Sequence, residues 1–106
     1  MSEQDKIVSL VLGFETRLLP GMADPSETIE ALVMDGMNEL RIKFPVYGNS
    51  YLDTEKLDLK FWKKRLGNEI QEYKNCITSA ERKRKLANLF NLVWMAYYYE
   101  THQDKE

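Results

Sequence analysis

Apolar residues recur at intervals of three and four along nearly the whole chain. Such spacing places them on one face of an α-helix, whereas a half-buried strand would show apolar and polar residues in strict alternation. We find no sustained alternation, no internal repeat and no low-complexity segment. The pattern therefore predicts an all-α fold with four helices.

The first predicted helix covers about residues 3–19 and ends before Pro20. Asp24 is a favourable N-cap for a second helix over about residues 25–44, since proline is well tolerated at the first helical position. We expect Pro45 to stop that helix. Its apolar stripe consists of Ile29, Leu32, Val33, Gly36, Met37 and Leu40.

The third predicted helix begins between about residues 54 and 58 and reaches Ile77. Its predicted buried face consists of Leu59, Trp62, Leu66, Ile70, Tyr73 and Ile77. Thr78 and Glu81 have the spacing of a capping box, which predicts that a fourth helix starts there and continues to about Glu100.

The fourth predicted helix is apolar nearly all round. A helix of that kind is either central to a domain or shared between subunits. We therefore expect a homo-oligomer. The apolar positions are Leu86, Leu89, Phe90, Leu92, Val93, Trp94, Met95 and Tyr97.

The chain has 106 residues, which fits one domain with a single core. We divide it into an N-terminal helix and linker (1–24), a helical core (25–100) and a frayed tail (101–106). The formal charge is −2, so no overall basic field favours a nucleic-acid partner. A single cysteine excludes an intramolecular disulfide, no apolar stretch is long enough for a bilayer, and no signal-peptide pattern is present, so we expect a cytoplasmic protein.

Two carboxylates, Glu69 and Glu72, lie one helical turn apart on or beside the predicted inward stripe of the third helix. A buried carboxylate needs a cation, a metal or dense hydrogen bonding to offset its desolvation. A pair of carboxylates is also a common way to hold Mg²⁺. A plainer interpretation is that both are half-exposed and pair with a neighbour such as Arg65.

The fourth helix supplies possible partners for these carboxylates. Asn88 and Asn91 stand in apolar surroundings, where an unpaired amide costs on the order of 1–3 kcal/mol. Lys85 lies on the same side as Asn88, three residues earlier. We therefore expect Asn88, Asn91 and Lys85 to face Glu69 and Glu72.

Three features together carry a family resemblance. The first is the Glu-x-x-Glu of Glu69-Ile70-Gln71-Glu72, and the second is Lys85-Leu86-Ala87-Asn88 with Asn91 after it. The third is the turn Tyr47-Gly48-Asn49-Ser50-Tyr51. Over residues 31–98 the chain resembles the MazG-like all-α nucleotide pyrophosphohydrolases, especially those of phages. The resemblance implies a four-helix unit whose acids hold Mg²⁺ against a nucleoside triphosphate. It also implies that the homo-oligomer is a dimer or a tetramer.

The chain departs from the family at the second acidic motif. The resemblance implies Glu-x-x-Asp there, where this chain has Lys85 and Asn88. The formal charge of the four positions 69, 72, 85 and 88 therefore changes from about −4 to −1. A site with that balance should bind Mg²⁺ poorly, because hard cations depend on carboxylate charge. The ammonium of Lys85 would take over the electrostatic role of the metal. No cofactor is then expected.

Three functions remain open. In the first, the chain is a catalytically degenerate family member that binds or sequesters a nucleotide. In the second, it is a degenerate member that binds a protein, for example as a phage or mobile-element inhibitor of a host protein. Alternatively it is an active Mg²⁺-dependent pyrophosphohydrolase with Glu69 and Glu72 as metal ligands. We rank the hypothesis of a catalytically degenerate family member first and assign no catalytic residue. The candidate nucleotide-binding residues are Glu69, Glu72, Lys85, Asn88, Asn91 and, for base stacking, Trp62.

Overall fold

Three helices dominate the computed structural model, which describes residues 6–9 and 15–103. Helix α3 packs against both α1 and α2, whereas α1 and α2 make little contact with each other. No helix of the described part is long and apolar enough to cross a membrane. The helices are α1 (Ser26–Tyr47), α2 (Leu59–Asn75) and α3 (Ser79–Thr101), with a short 3-10 helix at Ser50–Leu52.

The predicted N-terminal helix is wrong where the structure describes it. Strands β1 (Lys6–Ser9) and β2 (Glu15–Leu18) pair antiparallel, with Val8 opposite Thr16. β-Branched residues favour extended backbone, and the helical spacing of apolar residues in this segment does not outweigh that preference. Residues 1–5 and 10–14 of the prediction lie outside the described part of the chain. The described residues therefore form three α-helices, where the sequence predicts four for the chain.

Helix α1 begins within one residue of the predicted start, but its N-cap is Pro25 and not Asp24, and it continues further than predicted. Asp24 Oδ1 accepts hydrogen bonds from the backbone N–H of Ser26 at 2.9 Å and from its hydroxyl at 2.7 Å. Pro45 does not stop the helix, because proline in the final turn removes only one backbone hydrogen bond. The helix ends at Gly48, whose φ of 54° suits glycine and whose N–H donates to Phe44 O at 2.7 Å.

Helix α2 starts at Leu59, just after the predicted range, and its N-cap is Asp58, whose Oδ1 accepts from Phe61 N at 3.0 Å. Its buried residues are Trp62 and Glu69, 3% and 4% exposed, which lie seven residues apart and face α3. Part of the predicted buried face is wrong. Leu59 and Ile70, each 42% exposed, lie about a quarter of a turn from the Trp62–Glu69 line, beyond the narrow stripe that α3 covers. Ile77 is 86% exposed because α2 ends at Asn75, two residues before the predicted end.

The capping box at Thr78 and Glu81 is confirmed, and α3 ends within one residue of the prediction. Hydrogen bonds from the backbone and side chain of Thr78 lower the pKa of Glu81, so the cap favours an ionised carboxylate. The buried residues of α3 are Ala87, Asn88 and Asn91. Its opposite side stays exposed within this chain.

Helices α1 and α3 lie close together at Gly36, which is buried. A β-carbon at this position would lie 2.6 Å from Cδ2 of Phe90 and 3.5 Å from Oδ1 of Asn91. Gly67, in α2, is exposed, and a β-carbon there would meet nothing within 4 Å. A side chain added at Gly36 would therefore disturb the packing of α1 on α3, whereas one added at Gly67 would not disturb any contact.

We expect Gly36→Ala to lower the free energy of unfolding by about 1–3 kcal/mol, because the Phe90 ring must move away from α1. Gly67→Ala is the matched control and should raise it by up to about 1 kcal/mol, since alanine is the better helix former. Urea denaturation of both variants measures the two effects. Equal shifts of the same sign would contradict the close approach of α1 and α3 at Gly36.

Candidate functional site

The two carboxylates of α2 occupy the positions that helical periodicity predicts. Glu69 is buried, whereas the side chain of Glu72 is 51% exposed. The ammonium of Lys85 lies 2.7 Å from Glu72 Oε1, which confirms that Lys85 pairs with this motif. Oε2 of Glu69 is buried and has no hydrogen-bond partner among the described residues. Lys85 therefore satisfies one carboxylate, and the inner one retains an unpaired oxygen.

Glu72 lies in a cationic environment. Its hydrogen bond and charge interaction with Lys85 lower the pKa of the Glu72 carboxyl, and the charges of Arg65 and Lys43 lower it further. The pKa of Lys85 is raised, chiefly by the hydrogen bond to Glu72, while partial burial opposes the shift. Both groups are therefore held in their charged forms around neutral pH.

The two asparagines are buried as predicted, but their observed partners are not the Glu pair. Asn88 Oδ1 accepts from the ammonium of Lys43 at 2.8 Å. Asn91 Nδ2 donates to Gly36 O at 2.8 Å, and its Oδ1 accepts from Trp94 Nε1 at 3.0 Å. The correction has a simple cause, since α1 covers this side of α3 and offers a lysine and a backbone carbonyl.

A cavity of about 140 Å³ lies where the end of α1, the following turn, the start of α2 and the middle of α3 meet. That volume is close to the cavity size that accepts a single aromatic ring. None of the described residues that line it carries a carboxylate. Its polar lining comes mainly from Lys43, Arg65, Asn88, Asn91 and Ser50.

Aromatic side chains form much of the remaining wall. Trp62 is buried, donates its indole N–H to Leu57 O at 3.0 Å and contacts Phe61 edge to face at 4.9 Å. Tyr51 also lines the cavity, and its ring lies edge-on to Trp94 at 5.1 Å. The ring of Trp62 is thus held in place, with its polar atom already engaged.

The structure brings together two features that the sequence presents separately. The turn at residues 47–51, one of the three motifs noted in the sequence, lines the cavity through Tyr47, Gly48, Ser50 and Tyr51. Three predicted site residues, Trp62, Asn88 and Asn91, line the same cavity. The other three, Glu69, Glu72 and Lys85, form the neighbouring polar cluster and do not line it.

Lys43 connects the cavity with the polar cluster, and sequence reasoning missed it. It lines the cavity, donates to Asn88 and acts electrostatically on Glu72. Its position offered a clue, since Lys43 follows Gly36 by seven residues and therefore lies on the inward side of α1. A lysine on an apolar stripe should have been expected to have a buried acceptor.

Formal charges favour an anion over a metal cation here. Glu69 and Glu72 contribute −2, and Lys43, Arg65 and Lys85 contribute +3, which leaves +1. Mg²⁺ requires free oxygen ligands with a surplus of negative charge. Oε1 of Glu72 and Oδ1 of Asn88 already accept from ammonium groups. The arrangement of these residues therefore does not fit Mg²⁺.

Comparison with known proteins adds no constraint to this geometry. No protein-family model, curated protein or solved structure matches the chain. The resemblance to the MazG-like pyrophosphohydrolases consequently remains a hypothesis that depends on the motifs and their placement. The chemistry of the site must be inferred from its own residues.

The Glu72–Lys85 pair predicts a dependence of stability on acid. Because folding lowers the pKa of Glu72 below its ordinary 4.5, the ionised carboxylate stabilises the fold above that pH, and the contribution is lost as pH falls through the lowered pKa. Glu72→Gln should therefore lower the urea midpoint at neutral pH and leave it unchanged well below pH 4.5. The matched control is Glu55→Gln, an exposed carboxylate. The same loss for Glu72→Gln at both pH values would contradict the pairing.

Proposed function

We propose that this protein is a catalytically degenerate relative of the MazG-like pyrophosphohydrolases that binds a nucleotide without metal chemistry. The observation that carries the proposal is the aromatic cavity bordered by Lys43 and Arg65 with no carboxylate in its described lining. A nucleotide has the matching parts, a planar ring and an anionic group.

The size of the cavity supports a division of roles. About 140 Å³ is enough for one ring system but not for a whole nucleotide. The base would occupy the cavity against Trp62, while the phosphates remain at its rim. There Lys43 and Arg65 would supply charge-assisted hydrogen bonds, which are the stronger kind in proteins.

The charge balance supports binding over hydrolysis. The family resemblance implies that Mg²⁺ held by acids engages the triphosphate, but Lys85 places a fixed positive charge beside Glu72. Lys43 places another on Asn88. These ammonium groups attract phosphate directly, so the protein would retain a phosphate site without a divalent ion.

An active Mg²⁺-dependent pyrophosphohydrolase is the second candidate. One observation favours it, namely the unpaired buried oxygen of Glu69. It requires Lys85 to leave Glu72, which costs their ion pair. The third candidate is a protein-binding module derived from a phage or mobile element, in which the cavity is only part of the fold.

The first test titrates the protein with a panel of nucleoside triphosphates and follows tryptophan fluorescence, since Trp62 lines the cavity. We expect saturable binding that chelation of divalent ions does not abolish. Lys43→Met and Arg65→Met should each weaken the Kd roughly tenfold or more, because a hydrogen bond to a charged group is worth about 1.5–3 kcal/mol. Lys64→Met removes an exposed lysine of α2 and is the matched control.

The ligand panel also separates the three candidates. Release of pyrophosphate would overturn the degenerate assignment and support the active enzyme. A nucleoside without phosphate should bind more weakly and be insensitive to Lys43→Met. No binding of any nucleotide would contradict the proposal and leave the protein-binding module. Urea denaturation shows whether Lys43→Met still folds, since that variant leaves Asn88 without its donor.

The double substitution Lys85→Glu with Asn88→Asp tests the proposed ancestry of the polar cluster. It removes the ammonium beside Glu72 and adds two carboxylates, so the formal charge of the cluster changes from +1 to −2. We expect measurable Mg²⁺ affinity by calorimetry, because affinity for hard cations increases with ligand charge. Lys64→Glu with Asn68→Asp gives comparable charge changes on exposed positions of α2. No gain in the first variant would contradict a lapsed metal site.

A further inference from the structure

One side of α3 carries a seam that the described elements leave partly exposed. Its six residues follow one another at alternating intervals of four and three, and we call this set the outer seam. It consists of Arg82, Leu86, Leu89, Val93, Ala96 and Glu100. Leu86 is 40% and Val93 51% exposed. Arg82, Leu89 and Ala96 are half-buried, and Glu100 is exposed. The outer seam lies on the opposite side of α3 from Asn88 and Asn91.

The spacing of the outer seam is the one that coiled-coil helices use for their mutual contact. Alternation of four and three residues keeps a stripe facing a partner helix over several turns. Here the stripe is about 27 Å long. Its four central positions are apolar, while its ends carry Arg82 and Glu100. A partner helix would therefore meet an apolar centre between one cationic and one anionic end.

The order of residues makes the outer seam complementary to itself when reversed. In an antiparallel pair centred between Leu89 and Val93, Arg82 stands opposite Glu100 at both ends. Leu86 then stands opposite Ala96, so a large residue meets a small one. In a parallel pair Arg82 would meet Arg82 and Glu100 would meet Glu100. Charge complementarity therefore selects the antiparallel arrangement.

A neighbouring groove extends the apolar surface. It lies between the first half of α1 and α3 and has a volume of about 710 Å³. Its apolar lining consists of Ala31, Leu32, Leu86, Leu89, Phe90 and Val93. Three of these residues belong to the outer seam, so a helix laid along the seam would also cover the groove. Large exposed apolar patches of this kind mark interaction sites.

We propose that two copies of this chain dimerise through α3, antiparallel, with Arg82 of each chain against the partner subunit's Glu100. A two-fold axis then passes between Leu89 and Val93 of both chains. Interfaces of this symmetry use the same patch on each subunit, which the reversible order of the outer seam satisfies. The proposal does not rest on nucleotide binding, because the cavity lies on the other side of α3.

The first experiment measures molar mass by light scattering and sedimentation at micromolar concentration. We expect the wild-type chain to have twice the mass of a single chain. Val93→Asp should be a monomer with unchanged helical circular dichroism, since Val93 is exposed in one chain and central in the dimer. A monomeric wild type, or a Val93→Asp variant that still dimerises, would overturn the proposal.

The second experiment reverses the charges at the ends of the outer seam. Arg82→Glu and Glu100→Arg each turn two attractive pairs into two repulsive ones, and each should weaken the dimer Kd about tenfold. The double variant should restore dimerisation. The two residues lie 18 positions apart in one helix, about 27 Å, so they have no direct contact within a chain. Lys64→Glu, on α2, is the control for a change of charge alone.

Mixing the two single variants gives the sharpest readout. The mixed dimer contains two attractive pairs, so Arg82→Glu and Glu100→Arg chains should associate with each other more tightly than either does with itself. Arg82 also donates to Ile77 O at 2.9 Å, so helical content of Arg82→Glu must be checked. Failure of both the double variant and the mixture to restore dimerisation would exclude the antiparallel register.

Discussion

The two buried amides of α3 determine how α1 can pack on that helix. An apolar helix imposes little register on its neighbours, but a buried amide without a partner costs about 1–3 kcal/mol. Asn91 meets this requirement through the carbonyl of Gly36, and Asn88 through the ammonium of Lys43. These two contacts lie seven residues apart on α1, so they fix both its position and its rotation. The cavity exists because α1, held in this way, carries the turn after it over the start of α2.

The absence of a side chain at Gly36 is part of the same constraint. The Phe90 ring occupies the space where a β-carbon would lie, and the carbonyl of Gly36 thereby comes within reach of Asn91. A larger residue would separate the helices and lengthen both contacts. The sequence shows Gly36 only as one position of an apolar stripe. Its role depends on a residue of α3 that lies far along the chain, so local pattern alone does not reveal it.

Local chemistry explains which parts of the fold the sequence predicts well. The predicted cap at Thr78 lies within a few residues of the N–H groups it satisfies, and it is confirmed. The prediction of a helix is wrong at residues 6–9 and 15–18, because an amphipathic spacing and a β-branched pair of strands are both compatible with short apolar runs. The stop at Pro45 is wrong because the cost of a proline depends on how many turns follow it.

The same distinction applies to the site: contacts within one helix can be predicted from the sequence, whereas contacts between distant parts of the chain cannot. Periodicity alone places Glu69 inward and Glu72 beside it, since both belong to one helix. Periodicity predicts that Lys85 pairs with this motif only because the short connection between α2 and α3 forces the two helices to lie side by side. Lys43 comes from α1, and no spacing rule relates it to Asn88, 45 residues away.

The consequence for chemistry is substantial. Without Lys43 and Arg65 the polar cluster has a formal charge of −1, and with them it has +1. The same carboxylates that resemble half of a metal site therefore stand in a field that attracts anions. Asn88 and Asn91 line the cavity on one side of α3, whereas Leu86 and Val93 lie in the outer seam on the other. Since groups on opposite sides of a helix share few neighbours, their energetic effects should be close to additive. The ligand binding and the subunit association that we propose should therefore respond independently to substitution, although both would use the same helix.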